Sequence, residues 1–209
     1  MSQRARYDRR TNFRPLSQRF LVLVEGEVTE REYFHALRKK LLLSAKVLQI
    51  EGPPPNTPKE MIKKAIQRRG AEKDAPYDQV WCVFDAEAKL TQKCREGLRE
   101  ALELAGNHGI QVALSNPCFE LWLVLHFESA TAWVASDGIR KRAKDLRIIE
   151  QKKILKIGEL MDSIPAARKH ATGLDEMHLR NEIQRSERNP ATTVYKLVEE
   201  IFKAFAKTI

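Results

Sequence analysis

The sequence predicts an α/β fold in which a parallel-rich sheet is flanked by helices and followed by a C-terminal helical extension. Three observations predict it. Short, continuously apolar runs such as Phe20–Val24 (FLVLV) and Gln79–Phe84 (QVWCVF) fit strands buried on both faces. Segments with apolar residues at helical spacing alternate with these runs, the pattern of strand–helix–strand units. From about residue 130 the strand-like runs cease, and amphipathic helical spacing continues to the end.

The expected elements follow in order. Residues 1–18 hold Arg4, Arg6, Arg9, Arg10 and Arg14 among polar residues and read as a disordered basic arm. Phe20–Val24 forms the first strand and ends at Glu25-Gly26-Glu27. Thr29 is placed to cap a helix over about Glu30–Leu42, with Glu32 completing a T-x-x-E capping box. Val47–Glu51 is a second strand at a possible sheet edge, and Thr57-Pro58 opens a basic helix over about Lys59–Gly70. Gln79–Phe84 is the third strand, followed by Asp85-Ala86-Glu87. A helix from Thr91 to Ala105 is closed by Gly106 and Gly109, and Ile110–Leu114 is the fourth strand. Ser115-Asn116-Pro117 breaks the chain before an apolar helix, Phe119–Phe127. Helices are expected over 138–162, 165–185 and 191–207, divided by Pro165 and Asn189-Pro190. The chain thus divides into an arm (1–18), an α/β core (19–129) and a helical extension packed on it (130–209).

The 209 residues are 43% hydrophobic and 31% charged, enough apolar material for a core. A net charge of +9 points to an anionic partner, of which nucleic acid is the commonest, although a solvated Lys-rich surface gives the same number. Cys82, Cys94 and Cys118 show neither CxxC spacing nor an even count, so they outline no disulfide framework or zinc site and suit a reducing cytoplasm. No secretory signal is visible, and no apolar run approaches the ~20 residues that span a bilayer, so no membrane association is expected.

The chemistry is expected from carboxylates. Glu25 and Glu27 follow the first strand, and Asp85 and Glu87 follow the third. In a parallel sheet these tips lie ~5–10 Å apart, at the carboxyl edge where such folds bind ligands. Carboxylates this close repel unless protonated or neutralised by a cation. Mg²⁺ accepts a few carboxylates, waters and phosphate oxygens, so Glu25, Asp85 and Glu87 are the candidate ligands, and Glu25 is favoured over Glu27. The helix dipole alone accounts for Glu30 and Glu32 and can extend to Glu27. It accounts less well for Glu25 and Asp85, each of which ends an apolar strand.

Pro117 would turn the chain across the same edge, so Ser115, Asn116 and Glu120 are candidates to face the metal; a helix cap and a dipole partner explain them nearly as well. His126 would serve as an acid or base only if it reached the cleft. Arg168, Lys169, His170, Arg180, Arg185 and Arg188 are either a grip on a nucleic-acid backbone or a solvated helix face. Trp133 lies in a loop, where it either packs or stacks a base.

The run LVLVEGEVTEREYF resembles the first motif of Toprim-type proteins, and specifically of the RloB-like (AbiLii-like) family. QVWCVFDAEAK is similar to that family's second acidic motif, SNPCFELWLVLHF to its internal motif and RNPATTVYKLVEEI to its C-terminal signature, all in family order. The resemblance implies a Toprim-like core. It implies phosphodiester chemistry dependent on Mg²⁺ (or Mn²⁺), with Glu25, Asp85 and Glu87 as metal ligands and catalytic residues; Glu120 joins them as a catalytic candidate by its place after Pro117 rather than by the resemblance. It further implies a nuclease effector of a bacterial phage-defence, or abortive infection, system that acts on RNA or DNA beside an ABC-type ATPase partner. Many relatives carry Asp-x-Asp where this chain has Asp85-Ala86-Glu87, a change of one methylene at a metal site.

No phosphate-binding G-x-x-x-x-G-K-[ST], dinucleotide G-x-G-x-x-G or nucleophile G-x-S-x-G motif is present, so ATP hydrolysis by this chain is not expected. The competing reading is a non-catalytic subunit that binds nucleic acid or the ATPase. A third is an assembly protein docked through its last helix.

Overall fold

The computed structural model describes residues 18–53, 57–73, 75–86, 91–184 and 187–205. The basic arm (1–17), Glu87 and Arg185 lie outside the described residues. A five-stranded sheet has the order β2-β1-β3-β4-β7. It is built from β1 (Phe20–Val24), β2 (Leu48–Glu51), β3 (Gln79–Asp85), β4 (Gln111–Asn116) and β7 (Ala191–Thr192). The first four strands are parallel, and β7 joins β4 antiparallel. The α/β class and the parallel-rich sheet are therefore as the sequence predicts, with β2 at the edge.

Alternation along the strands explains why the runs are wholly apolar. Phe20, Val22, Val24, Trp81 and Val83 enter one hydrophobic cluster, and Leu21, Leu23, Val80, Cys82 and Phe84 enter the other. Successive side chains point to opposite faces, so a sheet covered on both sides needs apolar residues at every position. Helices α2 (Pro58–Ala71) and α3 (Gln92–Asn107) cover the second face. Helix α1 (Thr29–Lys40) and the C-terminal half cover the first. The Thr57 side chain accepts from the Glu60 amide with Pro58 in the first helical turn, the expected start.

The C-terminal half departs from three plain helices. After α4 (Glu120–Val124) come α5 (Ser136–Asp145), a hairpin of β5 (Ile149–Glu150) and β6 (Lys153–Ile154), then α6 (Ile157–Asp162), α7 (Ile164–Arg180) and α8 (Val194–Phe205). The helix expected over 138–162 is thus interrupted by a hairpin. Arg147 and Gln151 turn the chain with φ of 54° and 55°, a conformation that non-glycine residues seldom adopt and do not announce. The extension also contributes β7 to the main sheet, and one cluster runs from Phe20 to Ile201, so the expected boundary near residue 130 is crossed by both sheet and core.

The predicted capping box is not formed. Thr29 Oγ1 donates to the Lys152 carbonyl at 2.8 Å, and Glu32 Oε2 accepts from the Ile154 amide at 2.8 Å. Both residues tie α1 to the β5–β6 hairpin. An amide at the end of a short hairpin needs an acceptor as much as a helix N-terminus does.

His126 is a core residue, 3% exposed, between the rings of Tyr33 and Trp122, with Ser163 Oγ 3.2 Å from Nδ1. Burial pushes its pKa down to about 3, so it stays neutral and packs. Cys82 and Cys118 are buried, and burial raises both thiols, to about 12 for Cys82, as expected of inert core cysteines. Trp133 does not pack into the core: it is 67% exposed. Among the described residues no helix is long and apolar enough to cross a membrane.

Candidate functional site

The parallel register places Val24 opposite Val83 and Asp85 opposite Ser115, so β1, β3 and β4 end together. Beyond Val24 the Glu25 amide still donates to the Val83 carbonyl. The next parallel rung would run from the Asp85 amide to the Glu25 carbonyl. The Glu25 side chain takes that place instead: Oε2 accepts from the Asp85 amide at 2.9 Å. The two acids at the strand ends are thereby held side by side.

Glu25, Glu27 and Asp85 line one pocket of about 490 Å³, joined by Glu30 and Glu120. Glu30 enters from the first turn of α1, and Glu120 opens α4. Arg140, Lys144 and Lys152 also line it. Arg140 Nε lies 3.8 Å from Glu120 Oε2.

Burial lifts the Asp85 carboxyl well above the usual range, and the charges of Glu30, Glu25 and Glu120 lift it further against the opposing pull of Arg140. Asp85 as a residue is partly exposed, yet its Oδ1 is sealed from solvent and has no hydrogen-bond partner among the described residues. Glu30 is 7% exposed. Burial pushes its carboxyl up to about 7, helped by Glu120 and Glu25 and resisted by hydrogen bonds from its own amide and that of Gly26. An enclosed carboxylate oxygen without a donor is costly, and this one sits among other carboxylates. The donor set is hard oxygen, which suits Mg²⁺ or Mn²⁺. Among the described residues, however, no three His, Cys, Asp or Glu side chains stand close enough together to hold an ion.

Gly26 is part of this arrangement. A Cβ there would fall 1.6 Å from Glu30 Oε2 and 2.1 Å from its Cδ. Gly26→Ala is therefore expected to expel the Glu30 carboxylate towards solvent while leaving β1 and α1 intact. Carbon-detected NMR titration checks this: Glu30 should titrate near 7 in the native chain and near the ordinary value of 4.5 in the variant. An unchanged titration would mean that the carboxylate does not lie over Gly26.

Of the residues expected from sequence, Glu25, Asp85 and Glu120 come together, and Glu87 lies outside the described residues. Ser115 and Asn116 do not line the pocket. The fourth strand continues two residues beyond Leu114, and both side chains are turned to the returning chain. Ser115 Oγ lies 3.0 Å from Thr192 Oγ1, and the Asn116 amide donates to the Arg188 carbonyl at 2.8 Å. Arg168, Lys169 and His170 also lie away from it, because α7 packs against α4 and α8. Arg168 pairs with Glu199, His170 Nδ1 donates to the Leu125 carbonyl at 2.7 Å, and Lys169 is exposed. Arg188 is paired with buried Asp175 at 3.4 Å.

Glu30 escaped sequence reasoning because the helix dipole explained it. The available signal was the small residue Gly26 four positions earlier. Arg140 and Lys144 share one face of α5 by their i, i+4 spacing, but nothing local distinguishes them from other surface cations.

A family model described as RloB-like protein matches residues 20–201. No curated protein matches. Among solved structures, a de novo designed Rossmann fold protein is similar at 15% identity and a TM-score of 0.33, over 62% of this chain and 96% of the other, a likeness too slight to build on.

Proposed function

The chain belongs to the RloB-like family, and from that premise we propose that it is a metal-dependent nuclease, an effector of bacterial phage defence whose Toprim-like site cleaves phosphodiester bonds of RNA or DNA. The observation that carries the reading is the enclosed Oδ1 of Asp85, without a hydrogen-bond partner among the described residues, beside Glu25, Glu30 and Glu120 at the carboxyl edge of the sheet. Carboxylates gathered against their own repulsion call for a cation. Mg²⁺ commonly takes only one or two protein carboxylates and completes its shell with water and substrate phosphate. Glu25 and Asp85 suffice for that, and Glu87 follows directly in the chain.

Bound there, the ion would neutralise phosphoryl charge and acidify a water molecule. The chain's own residues have separable tasks. Glu25 fixes the end of β3 through the Asp85 amide. Asp85 supplies the enclosed oxygen, and Glu120 holds Arg140 within reach of the pocket. An ABC-type ATPase that restrains or triggers the effector belongs to the same proposal, as does residence in the cytoplasm.

One observation favours a second reading, a non-catalytic nucleic-acid- or ATPase-binding subunit: the described acids do not themselves form a three-ligand cage. Calorimetric titration of Mg²⁺ and Mn²⁺, paired with cleavage of end-labelled RNA and DNA, separates the two. The nuclease reading expects metal binding by the native chain, at least about tenfold weaker binding by Glu25→Gln, and cleavage lost in that variant. Cleavage that persists in Glu25→Gln would remove Glu25 from the site. Nucleic-acid binding without metal-dependent turnover would establish the binding subunit.

A further inference from the structure

The pocket has two sides of opposite charge that come from distant parts of the chain. Its floor is the carboxylate group at the ends of β1 and β3 and the starts of α1 and α4. Its rim is cationic and belongs to the C-terminal half: Arg140 and Lys144 on α5, and Lys152 in the β5–β6 turn. Lys144 and Lys152 are exposed and form no ion pair among the described residues. Arg140 reaches Glu120 only at 3.8 Å, with its side chain 44% exposed. Lys144 and Lys152 are therefore not consumed by neutralising the floor, and Arg140, although it pairs with Glu120, keeps much of its side chain open to solvent.

The rim is also fixed in place. The Lys152 carbonyl is held by Thr29 Oγ1 at 2.8 Å and the Ile154 amide by Glu32 at 2.8 Å, so the turn is anchored to the helix that carries Glu30. Ala143, between Arg140 and Lys144, is fully buried and anchors α5. A bare anion would be repelled by the floor, and a bare metal ion has no use for the rim. A phosphate with a divalent counter-ion satisfies both, its cation towards the carboxylates and its outer oxygens towards the rim. Lys and Arg contacts to phosphate set the register of a nucleic-acid chain without reading sequence.

We propose that Arg140, Lys144 and Lys152 grip the nucleic-acid backbone across the mouth of the acidic pocket, and that α7, with Arg168, Lys169 and His170, does not. The proposal rests on the phosphodiester reading of the site. It assigns the C-terminal half a direct part in substrate binding, with α5 and the hairpin as one jaw and the sheet edge as the other.

The test is fluorescence anisotropy of a labelled RNA oligonucleotide, and of DNA of the same sequence, with the full chain in Ca²⁺, across a series of salt concentrations. Each phosphate contact contributes about one unit to the slope of log affinity against log salt. Lys144→Ala with Lys152→Ala is expected to weaken binding about tenfold and to flatten the slope by about two units. Lys144→Arg with Lys152→Arg should restore both, and Lys169→Ala should change neither. Both lysines are exposed, so the melting temperature should not move. An unchanged slope in the double Ala variant, an equal loss in Lys169→Ala, or no nucleic-acid binding by the native chain would each overturn the proposal. The readout is binding alone. Absence of cleavage with the slope change intact would remove the nuclease reading and leave the rim assigned; normal cleavage with an unchanged slope would do the reverse.

Discussion

Asp85→Asn is expected to abolish metal-dependent cleavage, by at least about 100-fold, while making the metal-free protein more stable. The two effects have one cause. In the native chain the Asp85 carboxyl is buried, ringed by Glu25, Glu30 and Glu120, and opposed only partly by Arg140. Its Oδ1 has no hydrogen-bond donor among the described residues. Asn keeps the volume, removes the charge and adds an N–H that the surrounding carboxylates can accept. The metal-free fold therefore gains about 1–3 kcal/mol, which for a chain of this size is about 2–4 °C in melting temperature per kcal/mol.

On the proposed metal-site reading, metal affinity is expected to move the other way, because the carboxylate proposed to offer an oxygen to the ion is gone. Thermal melts in EDTA and in Mg²⁺ read both effects together. The native protein should melt higher in Mg²⁺ than in EDTA, by linkage. Asp85→Asn should melt higher than the native protein in EDTA and gain almost nothing from Mg²⁺. A variant that melts lower than the native chain in EDTA would show that Asp85 serves the fold rather than an ion.

How much of this was legible in the sequence depends on whether the partner of each residue is local. The strands Phe20–Val24 and Gln79–Asp85 were legible because burial on both faces leaves an unbroken apolar run. The start of α2 was legible because Thr57 satisfies an amide only three residues away. Glu25 and Asp85 were legible as a pair because each ends such a strand. By contrast, Thr29 and Glu32 carry the spacing of a capping box, yet their partners are Lys152 and Ile154, more than 120 residues on. A motif defined by local spacing cannot register a competing acceptor or donor that folding delivers from elsewhere.

The same contrast explains the site. Glu30 had a sufficient local explanation in the helix dipole, and only tertiary burial at 7% exposure reveals it as part of the acidic group. Ser115 and Asn116 were expected at the site because Pro117 ends the strand, but the two-residue strand β7 is too short to leave a periodic signal; it takes up the Ser115 side chain, and the chain just before it takes up that of Asn116. The cations Arg140 and Lys144 lie on a surface helix far along the chain from Glu25 and Asp85, and Lys152 sits in a hairpin turn whose left-handed residue Gln151 carries no glycine mark. Charge that is functional by position looks, along the chain, like charge that is merely solvated.

In metal-free buffer the native chain should lose stability as the pH rises from about 4.5 to about 7, and Glu30→Gln should remove the part of that loss that belongs to Glu30. The sign follows from proton binding. Glu30 has an ordinary value of 4.5, and burial followed by the charges of Glu120 and Glu25 raises it in the folded protein to about 7. Below 4.5 the carboxyl is protonated in both states and stability does not depend on it. Between the two values the folded state binds more protons than the unfolded one, so stability falls with pH. Above 7 both states are ionised and the full penalty persists. The size is on the order of 3 kcal/mol at most, about 6–12 °C in melting temperature. Asp85, raised for the same reasons, acts in the same direction. Acids held low by partners, such as Glu128 beside Arg142, contribute in the opposite sense as pH falls. They are common to both proteins, so the native-minus-variant difference reports Glu30 together with its coupling to Asp85. Circular dichroism melts at pH 5 and pH 8 in EDTA should show the two proteins nearly equal at the lower pH and the variant clearly more stable at the higher one. Parallel curves across the range would mean that Glu30 ionises freely and that the acidic group is not under mutual repulsion. Addition of Mg²⁺ at pH 8 should then recover, for the native chain, what the variant gains by losing the charge.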